Sequence, residues 1–412
     1  MRPGTAERGD PEIAAAAIER LAAARGRDDL YADYDVLRAA DPLHRSRHEL
    51  FPDCWFISRH EDVDRILRDR RFVQDSRNSE VFAGSEGPFA EMVSRILIFL
   101  PPGPHERTRQ LIYRAFTPQA VAKRRPRIEA VIHQLFEGLR QGGGCDLLHD
   151  VLYPLPMTVI GEMLGASEEE RQLFFELFGQ QGHEVADVGT ASDAQREQAD
   201  RMIERFDEAV RAMIARRREA PGDDLLSTLL KEGEDGDRLK EEEVVAAVYI
   251  LIGAGHETTA NLLGNGLAHL LRDRPQWERL VAAPELVPSA VEELLRFDTS
   301  VQFNQRVANE SLRYGDAEIA ENDRIIVLLG AANRDPEVFE NPHQLDIGRD
   351  PNPHLAFGAG LYHCLGLHLA RLEMHTALDA IVRNFPKLQL TEDPRWRPTW
   401  MMCGLERMPV RF

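Results

Sequence analysis

The stretch Phe357-Gly358-Ala359-Gly360-Leu361-Tyr362-His363-Cys364-Leu365-Gly366 is a glycine-punctuated turn that delivers one cysteine to the start of an apolar helix. Gly358 and Gly360 leave the backbone free to take positive φ and to approach another group closely. After Cys364 the apolar positions Leu365, Leu369, Leu372, Leu378 and Ile381 follow helical spacing, and Pro386 lies beyond the point where that helix must end. A thiol at a helix N-terminus sits at the positive end of the macrodipole, which is expected to lower its pKa.

Three roles compete for Cys364. A buried core cysteine is the ordinary one, but a core position does not need glycines six and four residues upstream. A zinc site could draw on His363, His368 and His375, yet the chain holds no C-x-x-C pair to complete it. The third is an axial thiolate on haem iron, with the amides of the turn aimed at the sulfur. The stretch resembles the haem-binding loop of the cytochrome P450 family, F-G-x-G-x-H/R-x-C-x-G, and departs from it at Tyr362. That resemblance implies Cys364 as the metal ligand and Phe357, Gly358 and Tyr362 as parts of the haem cradle. Where Tyr362 stands, the family has His or Arg directed at a haem propionate. A tyrosine hydroxyl is neutral but still donates, so one hydrogen bond to the propionate is expected to survive.

With 412 residues, 43% of them hydrophobic and 29% charged, the chain can bury a large core. No serine-, glycine- or proline-rich linker and no internal repeat divides it. Residues 1–412 are therefore read as one domain, with residues 1–12 poorly ordered. A net charge of −19 argues against nucleic acid as a partner. Cys54, Cys145, Cys364 and Cys403 are scattered without paired spacing, as in a reducing cytoplasm. The N-terminus carries neither signal nor anchor, and the longest apolar run, residues 244–255, is about half the ~20 residues a membrane span needs. A soluble, cytoplasmic protein without a membrane partner is expected.

Residues 13–25 and 34–39 read as helices, the second ended by Asp41-Pro42. Residues 55–58 form a short apolar strand, 61–68 have helical spacing, and Ile319 and residues 325–329 look like strands. The class is mainly α with a small β region, and the resemblance implies the triangular helical prism of the cytochrome P450 fold. Residues 75–102 degrade into glycines, polars and scattered Phe82, Phe89 and Phe99, which reads as a long loop; in the family this region covers the substrate. Pro101-Pro102-Gly103-Pro104 then opens a helix that carries His105, Arg107, Arg109 and Arg114. His105 and Arg109 share one helix face and match the family's H-x-R-x-R segment, whose His and second Arg hold haem propionates. Farther on, Ser167-Glu168-Glu169-Glu170 is an N-cap followed by acids. The aromatics after it (Phe174, Phe175, Phe178) and the helix ending in Arg216-Arg217-Arg218 correspond by resemblance to a movable roof over the substrate cavity, with residues 179–192 between them.

The longest helix is expected over residues 241–272. Residues 244–252 are apolar nearly all round, so it is buried; at ~1.5 Å per residue it crosses roughly 48 Å. Inside it, Gly253-Ala254-Gly255-His256-Glu257-Thr258-Thr259 places two glycines, each costing about 1 kcal/mol against alanine, and an acid beside hydroxyls in a buried setting. The motif resembles the family's A-G-x-[DE]-T-T. There a loosened helix makes a pocket for O2, the residue at Ala254 meets the haem, and an acid–alcohol pair, here Glu257 and Thr258, relays protons. Glu293 and Arg296, three apart, match a structural E-x-x-R pair; Gln344 stands where an Arg often completes it, which leaves the third contact open. Residues 300–307 read as strand. Arg306 matches a propionate-binding Arg, and Gln302, Phe303 and Asn304 are expected to face the substrate, joined by Met401 from the C-terminal loop.

The resemblance implies a haem-thiolate monooxygenase that uses haem b, O2 and electrons derived from NAD(P)H. The chain holds no G-x-G-x-x-G fingerprint and no clustered cysteines, so a ferredoxin and a ferredoxin reductase are implied as separate partners. Arg107, Arg114, Lys123, Arg124, Arg125 and Arg127 form a basic concentration that would receive an acidic ferredoxin; a solvated helix end fits the charge pattern equally. The substrate implied is a mid-sized, largely apolar natural-product intermediate, free or carrier-bound. Oxidative coupling, desaturation or ring formation on the same scaffold is the alternative chemistry. A non-catalytic haem sensor is disfavoured by the relay pair.

Overall fold

The computed structural model describes residues 10–23, 27–74, 87–139, 143–179, 193–231, 233 and 236–412. Its axis is the helix Glu241–Arg272, which stays α-helical along its whole length, through Gly253 and Gly255 included. Glu241, Glu242 and Glu243 place negative charge in its first turn, at the positive end of its dipole. Beyond them residues 244–248 are all buried, as an all-round apolar sequence requires. Helices Pro154–Met163, Asp193–Glu219, Val287–Phe297 and Leu367–Asn384 pack around it, with Arg125–Leu139 behind them. Their apolar faces merge into one core that includes Phe136, Phe174, Phe206, Leu263 and Leu378.

Beside this helical body lies a five-stranded sheet in the order Leu43–Arg45, Trp55–Ile57, Arg324–Leu328, Phe303–Ala308, Phe72–Val73. All neighbours are antiparallel except Trp55–Ile57 and Arg324–Leu328, which run parallel. Because successive strand residues point to opposite faces, the sheet has two distinct sides. One side, with Phe56, Phe303, Ile326 and Leu328, packs on the N-terminal helices and Trp400. The other, with Ile57, Ala308, Ile325 and Val327, packs on the helix His60–Arg68 and on Ala359 of the cysteine turn. The architecture is mainly α with a small β region.

Three local expectations change. Residues 10–12, expected among the poorly ordered ones, are an N-cap and first turn: Asp10 accepts the Glu12 N–H at 3.0 Å, and the helix runs Pro11–Ala22. The second N-terminal helix is longer than residues 34–39 and spans Arg27–Ala40. The long loop expected over 75–102 contains the helix Pro88–Arg95 and a 3-10 turn Leu97–Phe99. Pro88 sits in its first turn and Met92 and Val93 are buried, so burial supplies what a short, weak periodicity did not announce. Residues 75–86 and 180–192 lie outside the described residues.

Candidate active site

The cysteine turn is built by close approach. Gly358 and Gly360 have φ of 66° and 69°. A Cβ on Gly360 would stand 2.2 Å from the Leu67 carbonyl oxygen, so only glycine lets the turn lie against the end of the helix His60–Arg68. The Cys364 N–H donates to the Phe357 carbonyl at 3.0 Å and closes the loop. Gly366 then caps the helix Leu367–Asn384. Burial pushes the Cys364 thiol up; the N–H groups of Gly366 and Leu367 and the charges of Arg109 and Arg371 pull the other way. The lowered pKa expected from the helix terminus is thus outweighed by desolvation. Among the described residues no group of three or more His, Cys, Asp and Glu could hold a metal ion, so a zinc site has no ligand set.

Three basic side chains converge beside this turn. His105 and Arg306 are 2% and 1% exposed. The Tyr362 ring lies between them, 4.5 Å from the His105 ring and 4.9 Å from the Arg306 guanidinium carbon. Arg109 is close enough to Cys364 to act on its ionisation. Arg306 spends Nη1 on the Gln305 carbonyl at 2.7 Å, while its Nε and Nη2 and the His105 Nδ1 are buried without a partner. No acidic side chain is paired with Arg109 or Arg306 among the described residues. Burial lowers Arg306 to about 10, and burial with the charges of Arg109 and Arg306 lowers His105 to about 4. Buried cations without a counter-ion are costly, so this cluster calls for an anionic group, and a haem carrying two carboxylates fits it. The Tyr362 hydroxyl donates to the Leu100 carbonyl at 3.3 Å, and its ring packs at a tilt against the His105 ring and beside the Arg306 guanidinium.

The pair Glu293–Arg296 is fully buried, joined at 2.7 and 2.8 Å. The third contact left open by Gln344 is made by Arg349, whose Nε donates to Glu293 at 3.0 Å. Gln344 contributes its carbonyl to Arg296 at 3.3 Å. Arg296 also binds the carbonyl of Asn333 at 2.9 Å, and Asn333 Oδ1 receives the Leu355 N–H at 2.7 Å, two residues before the cysteine turn begins. The network therefore holds the turn from behind.

On the long helix, Ala254 is exposed although Ile252 and His256 beside it are buried, so the motif is accessible at Ala254. Thr258 Oγ1 donates to the Ala254 carbonyl at 2.6 Å. Glu257 accepts from Arg397 Nη2 at 3.0 Å and from Asn261 Nδ2 at 3.3 Å, and Arg397 also binds Asn261 Oδ1 at 2.8 Å. Sequence reasoning missed Arg397 and Asn261; the former comes from a loop 140 residues away. The expected substrate face splits. Phe303 packs on Trp400 at 4.9 Å in the N-terminal core and is 6% exposed, and Gln302 is buried with its amide on the Thr299 carbonyl at 2.6 Å. Strand alternation turns Phe303 from the cysteine turn, whereas Gln302 lies just before the strand and is held by its own buried contacts. Asn304, on the opposite sheet face, has its amide beside Gly358. Met401 remains open, 41% exposed. Phe178 of the helix Glu168–Phe178 packs at a tilt on Tyr249, centroids 5.0 Å apart, alongside Gly253. The basic concentration is thinner than its count suggests: Arg107 is paired with Asp237 and Glu243, and Arg127 with Glu162.

The family model for cytochrome P450 matches residues 53–409. The chain is 38% identical over 382 residues to cytochrome P450 107B1 of Saccharopolyspora erythraea, covering 90% of this chain and 92% of that one. It is 35% identical over 384 residues to the polyketide biosynthesis cytochrome P450 PksS of Bacillus subtilis, covering 90% and 93%. Among solved structures, P450BioI in complex with an acyl carrier protein ligated to hexadec-9Z-enoic acid superposes with a TM-score of 0.86 at 32% identity, covering 93% of this chain and 98% of that one. No helix among the described residues is long and apolar enough to cross a membrane. The chain belongs to the cytochrome P450 family, as a bacterial-type monooxygenase whose chemistry uses a haem-thiolate centre, O2 and reducing equivalents supplied by redox partners.

Proposed function

We propose that this chain hydroxylates or epoxidises a mid-sized natural-product intermediate, with haem b as its cofactor and Cys364 as the iron ligand. The observation that carries the reading is the convergence of Cys364 with His105, Arg109 and Arg306, where the buried His105 Nδ1 and Arg306 Nε and Nη2 have no protein partner. Arg306 and Arg109 would hold the propionates by charge and His105 by a hydrogen bond. Phe357 and Gly358 would support the proximal side, and Ala254 would lie against the distal side. The bound haem supplies the oxygen chemistry; the protein orients, excludes water and manages protons. Thr258 Oγ1, bonded to the Ala254 carbonyl, would hold a proton, and Glu257, anchored by Arg397 and Asn261 one residue away, would replace it. Asn304 and Met401 would touch substrate or the adjoining turn, and Phe178 would close the roof.

The electrons would come from NAD(P)H through a ferredoxin and its reductase. Lys123 and Arg125 are exposed and Arg124 half-buried, and these would form the docking face. The similarity to PksS and to a carrier-bound P450BioI supports a biosynthetic substrate and allows a carrier-linked one. Turnover of macrolactones and long fatty acids, free and linked to acyl carrier protein, in labelled dioxygen with a ferredoxin system tests this. A product gaining one labelled oxygen supports hydroxylation or epoxidation. Loss of two hydrogens without label would assign desaturation or coupling instead.

A further inference from the structure

Glu292 stands next to the structural pair Glu293–Arg296 but faces other partners. Its two oxygens accept Arg371 Nε and Nη2, each at 2.7 Å, and one of them accepts His354 Nε2 at 3.0 Å. His354 Nδ1 receives the Ala356 N–H at 3.2 Å, so the imidazole proton is on Nε2 and points at the carboxylate. Burial opposes ionisation of Glu292, yet the hydrogen bonds of His354 and Arg371 and the Arg371 charge bring it to about 2, so it is an anion at neutral pH. The bidentate grip fixes the Arg371 guanidinium 4.6 Å from the centre of the Phe357 ring. The same Phe357 accepts the Cys364 N–H through its carbonyl. Arg371 and Glu292 side chains are only 30% and 29% exposed, so water screens their field incompletely.

We propose that Glu292 positions Arg371 over Phe357 so that the guanidinium charge acts on the Cys364 thiolate and raises the reduction potential of the haem iron, while the Glu292 charge holds that rise in check. The inference rests on Cys364 being the iron ligand. Arg371 and Glu292 are positioning residues in this scheme and touch neither substrate nor oxygen. Reduction adds negative charge at the centre, and a nearby cation favours it.

The test is a redox titration of haem-loaded, substrate-free wild type, Arg371→Leu, Arg371→Lys and Glu292→Gln, with the spectrum of each reduced carbon-monoxide complex recorded alongside. The potential is expected to shift down in Arg371→Leu, to recover in part in Arg371→Lys, and to shift up in Glu292→Gln. A structural brace would move the Arg371→Leu and Glu292→Gln potentials in one direction or leave both in place. Either result, with the thiolate band retained, overturns the proposal and leaves the ligand assignment standing. Absence of that band in wild type overturns both. If Arg371→Leu fails to keep haem, the Glu292→Gln shift decides alone: upward supports the proposal, downward or none overturns it.

Discussion

His105 illustrates how much a single buried side chain settles. Burial and the charges of Arg109 and Arg306 hold its pKa at about 4 against an ordinary 6.5. Between those values the unfolded chain binds a proton that the fold refuses, so haem-free protein should lose stability as pH falls through that window. His105→Gln should flatten that part of the profile; urea midpoints across the window that keep the same slope in the variant would assign the loss to other groups. Thr258 makes a different kind of claim. Its hydroxyl donates to the Ala254 carbonyl inside the exposed part of the motif. Thr258→Ala should retain haem and substrate, yet lose on the order of 10²-fold in product formed, with reducing equivalents released as hydrogen peroxide. Product and peroxide measured per NAD(P)H consumed check this, and an unaltered ratio would remove Thr258 from the relay.

At the scale of elements, the segment from Asn333 to the cysteine turn is held by buried ion pairs instead of regular structure. Arg349 donates to a Glu293 that is fully buried. Arg349→Leu should therefore destabilise the protein by roughly 1.5–3 kcal/mol, the worth of a hydrogen bond to a charged group. Arg279→Ala, which breaks a pair exposed on both sides, should cost about 0–1 kcal/mol. Denaturant midpoints that do not separate the two variants would contradict the bracing role. The same elements show what was legible. The cysteine turn and the long helix announce themselves through local glycines and periodicity, and His105, Arg109 and Arg306 through short patterns that the fold brings together. Arg349, Arg371 and Arg397 reach their carboxylates across 56, 79 and 140 residues, and such pairings leave no periodic trace in the chain. Phe303 and Asn304 differ for another reason. Strand alternation separates them, but which face meets the cysteine turn depends on the helices that cover the sheet, and these come from distant parts of the sequence.

For the whole molecule, charge and ligation are the two quantities that decide function. Against a net charge of −19, Lys123, Arg124 and Arg125 remain, among the described residues, as cations without the paired acids that occupy Arg107 and Arg127. Neutralising Arg124 and Arg125 together should slow reduction by ferredoxin and flatten its salt dependence, since exposed attraction is screened over ~10 Å at 0.1 M. Peroxide-driven turnover bypasses the partner and should be spared; equal loss in both assays would place the docking face elsewhere. The family assignment rests on the length and order of the match, whereas the site assignment rests on one sulfur. Everything proposed for the cradle, the relay and the proximal cation follows from Cys364 as the iron ligand. The most direct measurement is the absorption spectrum of the reduced carbon-monoxide complex. Wild type should show the red-shifted Soret band of thiolate ligation and Cys364→Ser should not; a wild type without that band, or a variant that keeps it, would contradict the assignment.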